Sequence, residues 1–169
     1  LMAEIAAWVK MQNKTIYTFL KEIYAKYGFS QERMIYIVRK GITGAEEIKS
    51  MMKEFRHNTP KSINHSDVVL KKDYLTLEAT DLRTGEKKHL DFETTSDVLQ
   101  FFLADGSKIS VRPSGTEPKI KFYFEARTQM KDVNDYERAQ KEANDRIDDI
   151  IKDLKIQWFR DSVIADYKY

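Results

Sequence analysis

The sequence predicts an α+β fold: a mostly antiparallel sheet with helices packed on one face, preceded by a helical pair. Three observations lead to it. Apolar residues recur at helical spacing near both ends of the chain and again over residues 43–57. From Ser66 to Ala126 the period drops to two, the signature of half-buried strands. Turn signals interrupt that stretch, with Asp105-Gly106 the strongest hairpin marker among them.

Taken in order, residues 1–11 read as one amphipathic helix without a basic leader, so they do not resemble a signal peptide. The helix looks entered partway along, and the chain is expected to be a piece of something longer. A second helix spans about Thr15 to Tyr27, with Ile16, Leu20, Ile23, Tyr24 and Tyr27 on one stripe and Gly28 placed to end it. A linker is expected near Gly28–Gln31. Met34–Val38 carries apolar residues at every position and reads as a strand interior to the sheet. Thr43-Gly44-Ala45-Glu46 has the spacing of a capping box. The helix it opens carries Ile48, Met51, Met52 and Phe55 and fades near Pro60.

Leu75, Leu77 and Ala79 alternate with polar residues, and Arg83-Thr84-Gly85-Glu86 marks a reversal into Lys87–Phe92. Val98–Leu103 and Lys108–Val111 flank Ala104-Asp105-Gly106-Ser107. Lys119–Ala126 sets Ile120, Phe122, Phe124 and Ala126 on one side, with Lys119, Lys121, Tyr123 and Glu125 on the other. A last helix spans about Asn134 to Leu154. Its stripe is Tyr136, Ala139, Ala143, Ile147, Ile150, Ile151 and Leu154, and Glu137 with Lys141 and Glu142 with Arg146 are spaced to pair. The tail 157–169 shows no period and has no assigned role.

Composition narrows the chemistry. In 169 residues, 41% are hydrophobic, including nine Phe, nine Tyr and two Trp, enough for a real core. Charged residues make up 33% but nearly cancel, leaving +2, which does not point to bulk nucleic-acid or membrane binding. The absence of cysteine excludes disulfides, thiol catalysis and thiolate metal sites and fits a cytoplasmic location. No apolar run is long enough to cross a bilayer. His57, His65 and His89 lack metal-ligand spacing, and the acid pairs Glu46-Glu47 and Asp148-Asp149 read as solvated helix faces.

The segment richest in chemistry is Arg112-Pro113-Ser114-Gly115-Thr116-Glu117-Pro118-Lys119. Arg112 offers a planar fork of donors suited to two phosphate oxygens at once. Ser114 and Thr116 add hydroxyls, and Gly115 lets the backbone approach an anion closely. Pro113 and Pro118 stiffen both sides. On composition alone, such a run is more often a plain turn between strands. Two further readings stay open beside it: an RNA-binding sheet, since Lys119–Phe124 mixes bases and aromatics, and a protein-interaction domain using the helical pair.

This eight-residue run resembles the phosphate-binding signature of the phosphohexomutase superfamily, which includes phosphoglucomutases and phosphomannomutases. The resemblance implies that residues 1–28 are the helical end of a third domain. Residues 29–156 would then be the fourth, phosphate-binding domain, with its TBP-like fold. It implies that Arg112, Ser114, Gly115 and Thr116, assisted by Lys119, bind the phosphate of a hexose phosphate that is not being transferred, with Glu117 orienting the loop. The superfamily works through a phosphoserine, a magnesium ion and a hexose 1,6-bisphosphate intermediate. The serine loop, the metal loop and the sugar-reading loop of that superfamily have no counterpart here. The chain alone is therefore expected to be inactive and to need the remaining domains of its parent.

Overall fold

The structure is a computed structural model that describes residues 1–39, 43–158 and 164–167, with side-chain surroundings as far as Leu154. The elements are α1 (Met2–Met11), α2 (Ile16–Tyr27), β1 (Phe29–Val38), α3 (Gly44–His57), β2 (Ser62–Ile63), β3 (Ser66–Asp73) and β4 (Glu78–Asp81). There follow β5 (Lys87–His89), β6 (Leu99–Leu103), β7 (Lys108–Pro113), β8 (Lys119–Thr128), a 3₁₀ turn (Val133–Asp135), α4 (Tyr136–Trp158) and β9 (Ile164–Tyr167). The strand order is β5-β4-β3-β6-β7-β8-β1-β9, with β2 paired to β3. The ladders β1·β9, β2·β3, β3·β4, β3·β6, β4·β5, β6·β7 and β7·β8 are antiparallel. The α+β class expected from the sequence is the fold observed.

The chain divides into two compact units, Leu1–Gln31 with Ala126–Arg146, and Glu32–Glu125 with Ile147–Tyr169. In the first, the Thr15 hydroxyl caps α2 by accepting from the Thr18 amide at 3.0 Å. Val9, Phe29, Met130, Ala139 and Ala143 are buried. An aromatic cluster joins Tyr24 to Phe29 at 4.9 Å between ring centroids and Phe29 to Tyr136 at 5.5 Å, both edge-on. β1 begins at Phe29, directly after Gly28, and the division between the two units falls between Gln31 and Glu32, at the end of the segment expected as a linker.

In the second unit, period-two alternation puts Leu99, Phe101, Leu103, Ile109, Val111, Ile120, Phe122 and Phe124 on one buried sheet face. Ile48, Met52 and Phe55 of α3 and Ile147, Ile150, Ile151 and Leu154 of α4 supply the opposing apolar surface. Phe55 meets Phe122 at 5.8 Å. Arg33, on the same face of β1 as buried Ile35 and Ile37, pairs with Asp148 of α4. Burying each such side chain is worth about 1.5–3 kcal/mol, so this face decides the architecture.

Several local expectations are corrected. Met34, Tyr36 and Val38 are not buried, so β1 hides only its Ile35–Ile37 side. Leu75 and Leu77 are not on a strand. The Asp73 carboxylate accepts the Leu75 amide at 3.0 Å and turns the chain, and Leu77 sits at φ 54°. The capping box does not form. Thr43 is already helical at φ −83°, ψ −9°, whereas a cap needs extended backbone; its hydroxyl donates instead to Glu47 at 3.1 Å. Glu142 pairs with Arg146 at 3.2 Å, but Lys141 turns to Asp145 at 2.5 Å rather than to Glu137. In the tail, Ile164–Tyr167 pairs with Met34–Ile37 as an edge strand.

Ser107, at the β6–β7 turn, is fully buried and its hydroxyl has no hydrogen-bond partner among the described residues. Leaving such a group unsatisfied costs about 1–3 kcal/mol. Ser107→Ala is therefore expected to keep or raise stability in urea unfolding. A loss above about 1 kcal/mol would show that the hydroxyl is satisfied in solution.

Candidate functional site

The β6–β7 hairpin delivers the site. Asp105 accepts the Ser107 amide at 2.8 Å, and Gly106 takes φ 85°, a conformation only glycine adopts without strain. Strand β7 then runs antiparallel to β8 from Lys108 opposite Glu125 to Pro113 opposite Ile120. The loop between them closes by Ser114 N–H donating to the Lys119 carbonyl at 2.8 Å and Lys119 N–H donating to the Glu117 carbonyl at 2.7 Å. Arg39 N–H donates to the Pro118 carbonyl at 2.9 Å, tying the loop to the end of β1. The start of α3 is held there too. A Cβ on Gly44 would lie 2.3 Å from the Arg39 carbonyl oxygen, so only glycine permits that approach.

Among the described residues, the five expected to form the site are divided between two hollows and the open sheet face. Arg112 is exposed and stands opposite Lys121 in the ladder, so both project from the solvent face of the sheet. Its guanidinium has no acceptor among the described residues. Ser114, Gly115 and Thr116 line a groove of about 420 Å³ together with Asp97 and, from α3, Ala45, Ile48, Lys49 and Met52. Lys119 lines a second hollow of about 460 Å³ on the solvent face with Met34, Tyr36, Val38 and Lys121. Glu117 and Pro118 border both.

Lys119 pairs with Glu117, and its ammonium lies 5.8 Å from the Tyr36 ring centroid. Hydrogen bonding to Lys119, then its charge, holds the Glu117 carboxyl below its ordinary value. Lys119 therefore already has an anionic partner. The amides of Gly115, Thr116 and Glu117 and the hydroxyls of Ser114 and Thr116 take no partner among the described residues. The loop thus gathers hydrogen-bond donors beside Arg112 and Lys119.

Sequence reasoning missed two neighbours. Lys121 carried a legible signal, since it alternates with Lys119 on one side of a strand. Asp97 carried none. Arg56 of α3 pairs with it and also with Asp73 at 2.9 Å. Burial would lower the Arg56 pKa, but hydrogen bonds and charge from Asp97 and Asp73 outweigh it and raise it. The open reading of Lys119–Phe124 as a stacking platform loses Phe122 and Phe124, which are buried, and keeps Tyr123, 40% exposed. Among the described residues no three histidines or acids gather to hold a metal, and no helix is long and apolar enough to cross a membrane.

The Glu117 carboxyl is expected to titrate below 4.5 in a carbon-detected NMR titration. A depressed carboxyl keeps its pairing above that pH and loses it as pH falls through the lowered midpoint. Lys119→Met should return the midpoint toward 4.5; an unchanged midpoint would mean the pair is not formed.

A family described as phosphoglucomutase/phosphomannomutase, C-terminal domain, matches residues 47–153. A phosphoglucomutase of Staphylococcus aureus strain N315 is 35% identical over 129 residues, covering 73% of this chain and 22% of that protein. That of strain MRSA252 is 34% identical over 123 residues, with the same coverage. The chain spans about a fifth of the length of these curated relatives. Among solved structures, the open form of the Paramecium exocytosis-sensitive phosphoprotein pp63/parafusin aligns over 89% of this chain and 25% of its own, at 17% identity and a TM-score of 0.46.

Proposed function

This chain belongs to the phosphoglucomutase/phosphomannomutase C-terminal domain family, and from that premise we propose that its Arg112–Thr116 loop grips the phosphate of a hexose phosphate that is not being transferred. The observation that supports it most is the concentration of donors without acceptors: one guanidinium, two hydroxyls and a run of amides in a loop braced at both ends. Arg112 supplies the bidentate charge-assisted contact, with Lys121 beside it across the ladder. Ser114, Thr116 and the amides around Gly115 complete the cradle, and Lys119 adds positive field while it orders the loop through Glu117.

The parent enzyme, in this reading, is a cytoplasmic intramolecular phosphotransferase that interconverts hexose 1-phosphate and 6-phosphate through the hexose 1,6-bisphosphate. Its serine nucleophile, its Mg²⁺ site and most of its sugar recognition lie in the remaining domains, with residues 1–28 closing the third. No step of the chemistry runs through this chain, and by itself it turns nothing over. Its contribution is positional: holding one phosphate firmly aligns the other with the nucleophile. A grip that reads charge and shape serves both orientations of the sugar.

An NMR titration of the chain with glucose 6-phosphate, glucose 1,6-bisphosphate and plain glucose tests this. Saturable shifts centred on Arg112–Thr116 are expected with the two phosphates and not with glucose. Arg112→Ala should weaken binding by about 1.5–3 kcal/mol, the range for a charged hydrogen-bond partner. No shifts, or equal shifts with glucose, would overturn the grip.

Gly115 separates folding from binding. Its φ is not left-handed and an added Cβ meets nothing within 4 Å. Gly115→Ala should therefore leave stability within about 0.5 kcal/mol while weakening phosphate binding, because the methyl group stands where the anion would approach. Undiminished binding would remove Gly115 from the site.

A further inference from the structure

We infer that the groove beside the loop also reads the sugar, with Asp97 as the acceptor for a ring hydroxyl. The inference rests on the phosphate grip proposed above. The groove is lined by groups of two kinds. Ser114, Gly115 and Thr116 of the loop line it with hydroxyls and amides that take no partner among the described residues. Asp97, its side chain 42% exposed, lines it with a carboxylate. One Asp97 oxygen is held by the Arg56 guanidinium. The other takes no hydrogen bond among the described residues.

A phosphate monoester of a polyol has the complementary pattern: its phosphate only accepts, and its hydroxyls can donate. A carboxylate near an anion is normally unfavourable. Here Arg56 offsets that charge and fixes the orientation of the carboxylate. Arg56 is itself anchored, since it also holds buried Asp73, and its carbonyl accepts from the Lys71 ammonium at 3.0 Å. Ile48 and Met52, buried beneath the groove, form an apolar floor against which the C–H face of a sugar ring can pack. Asp97 thus adds a sugar contact to a loop that by itself recognises only phosphate.

The test compares inorganic phosphate with glucose 6-phosphate on the chain and on Asp97→Asn, by NMR titration. The sugar phosphate should bind the unaltered chain more tightly than inorganic phosphate. Asp97→Asn should lose about tenfold for glucose 6-phosphate, the equivalent of one hydrogen bond to a charged group. The same variant should bind inorganic phosphate as well as before or better, since a like charge has gone.

Equal weakening for both ligands, or for neither, would overturn the role of Asp97 and leave the phosphate grip standing. So would equal affinity of the unaltered chain for the two ligands. Failure of inorganic phosphate to bind the unaltered chain at all would overturn the grip and this inference with it. If the variant folds poorly, the 2-, 3- and 4-deoxy analogues of glucose 6-phosphate give the answer on the unaltered chain. One of them must fall to the affinity of inorganic phosphate; if none does, Asp97 reads no hydroxyl.

Discussion

The register of the β7·β8 ladder is the constraint on which the rest of the site depends. Ile109 opposite Phe124 and Val111 opposite Phe122 bury their side chains together, and the positions between them face solvent. A slip of one residue would turn Arg112 toward the core and Val111 toward water, at a cost of several kcal/mol for the stranded charge alone. The apolar pairs therefore hold Arg112 beside Lys121 on the solvent face. The same register sets the ends of the loop so that Ser114 and Lys119 can bond across it.

Around that loop, charge is divided rather than pooled. Arg112, Lys119 and Lys121 lie toward the solvent face, while Asp97 stands in the groove on the α3 side. Two ion pairs temper the division. Glu117 occupies Lys119 and stiffens the loop, and Arg56 neutralises Asp97 while closing the sheet rim at Asp73. The exposed pair contributes little to stability; its effect is on where the loop backbone points. The Arg56 cluster is more enclosed and ties the last turn of α3 to the end of β3, where the chain reverses.

Legibility from sequence followed how local each interaction is. The helices were readable because their stripes repeat, and the β6–β7 hairpin because Asp105 and Gly106 specify a turn by themselves. Leu75 and Leu77 misled because alternation does not reveal that the Asp73 carboxylate, held by Arg56, will cap the Leu75 amide and end the strand. The Thr43 box failed because its backbone is already helical. The edge strand Ile164–Tyr167 gave no periodic signal; its pairing is made of backbone bonds to β1.

The sequence by itself determined the α+β class, the hairpin, the buried side of β8 and the run of hydrogen-bond donors at Arg112–Thr116. Those follow from periodicity, turn chemistry and side-chain type, all properties of neighbours along the chain. Only the tertiary structure decided that Lys121 stands beside Arg112, that Glu117 already pairs with Lys119, and that Asp97 lines one groove with the loop. Asp97 lies 17 residues before Ser114 in sequence and meets the site because β6 and β7 lie side by side in the sheet and α3 covers their buried face. Contacts of that kind depend on strand order and helix placement, which chain-local patterns do not encode.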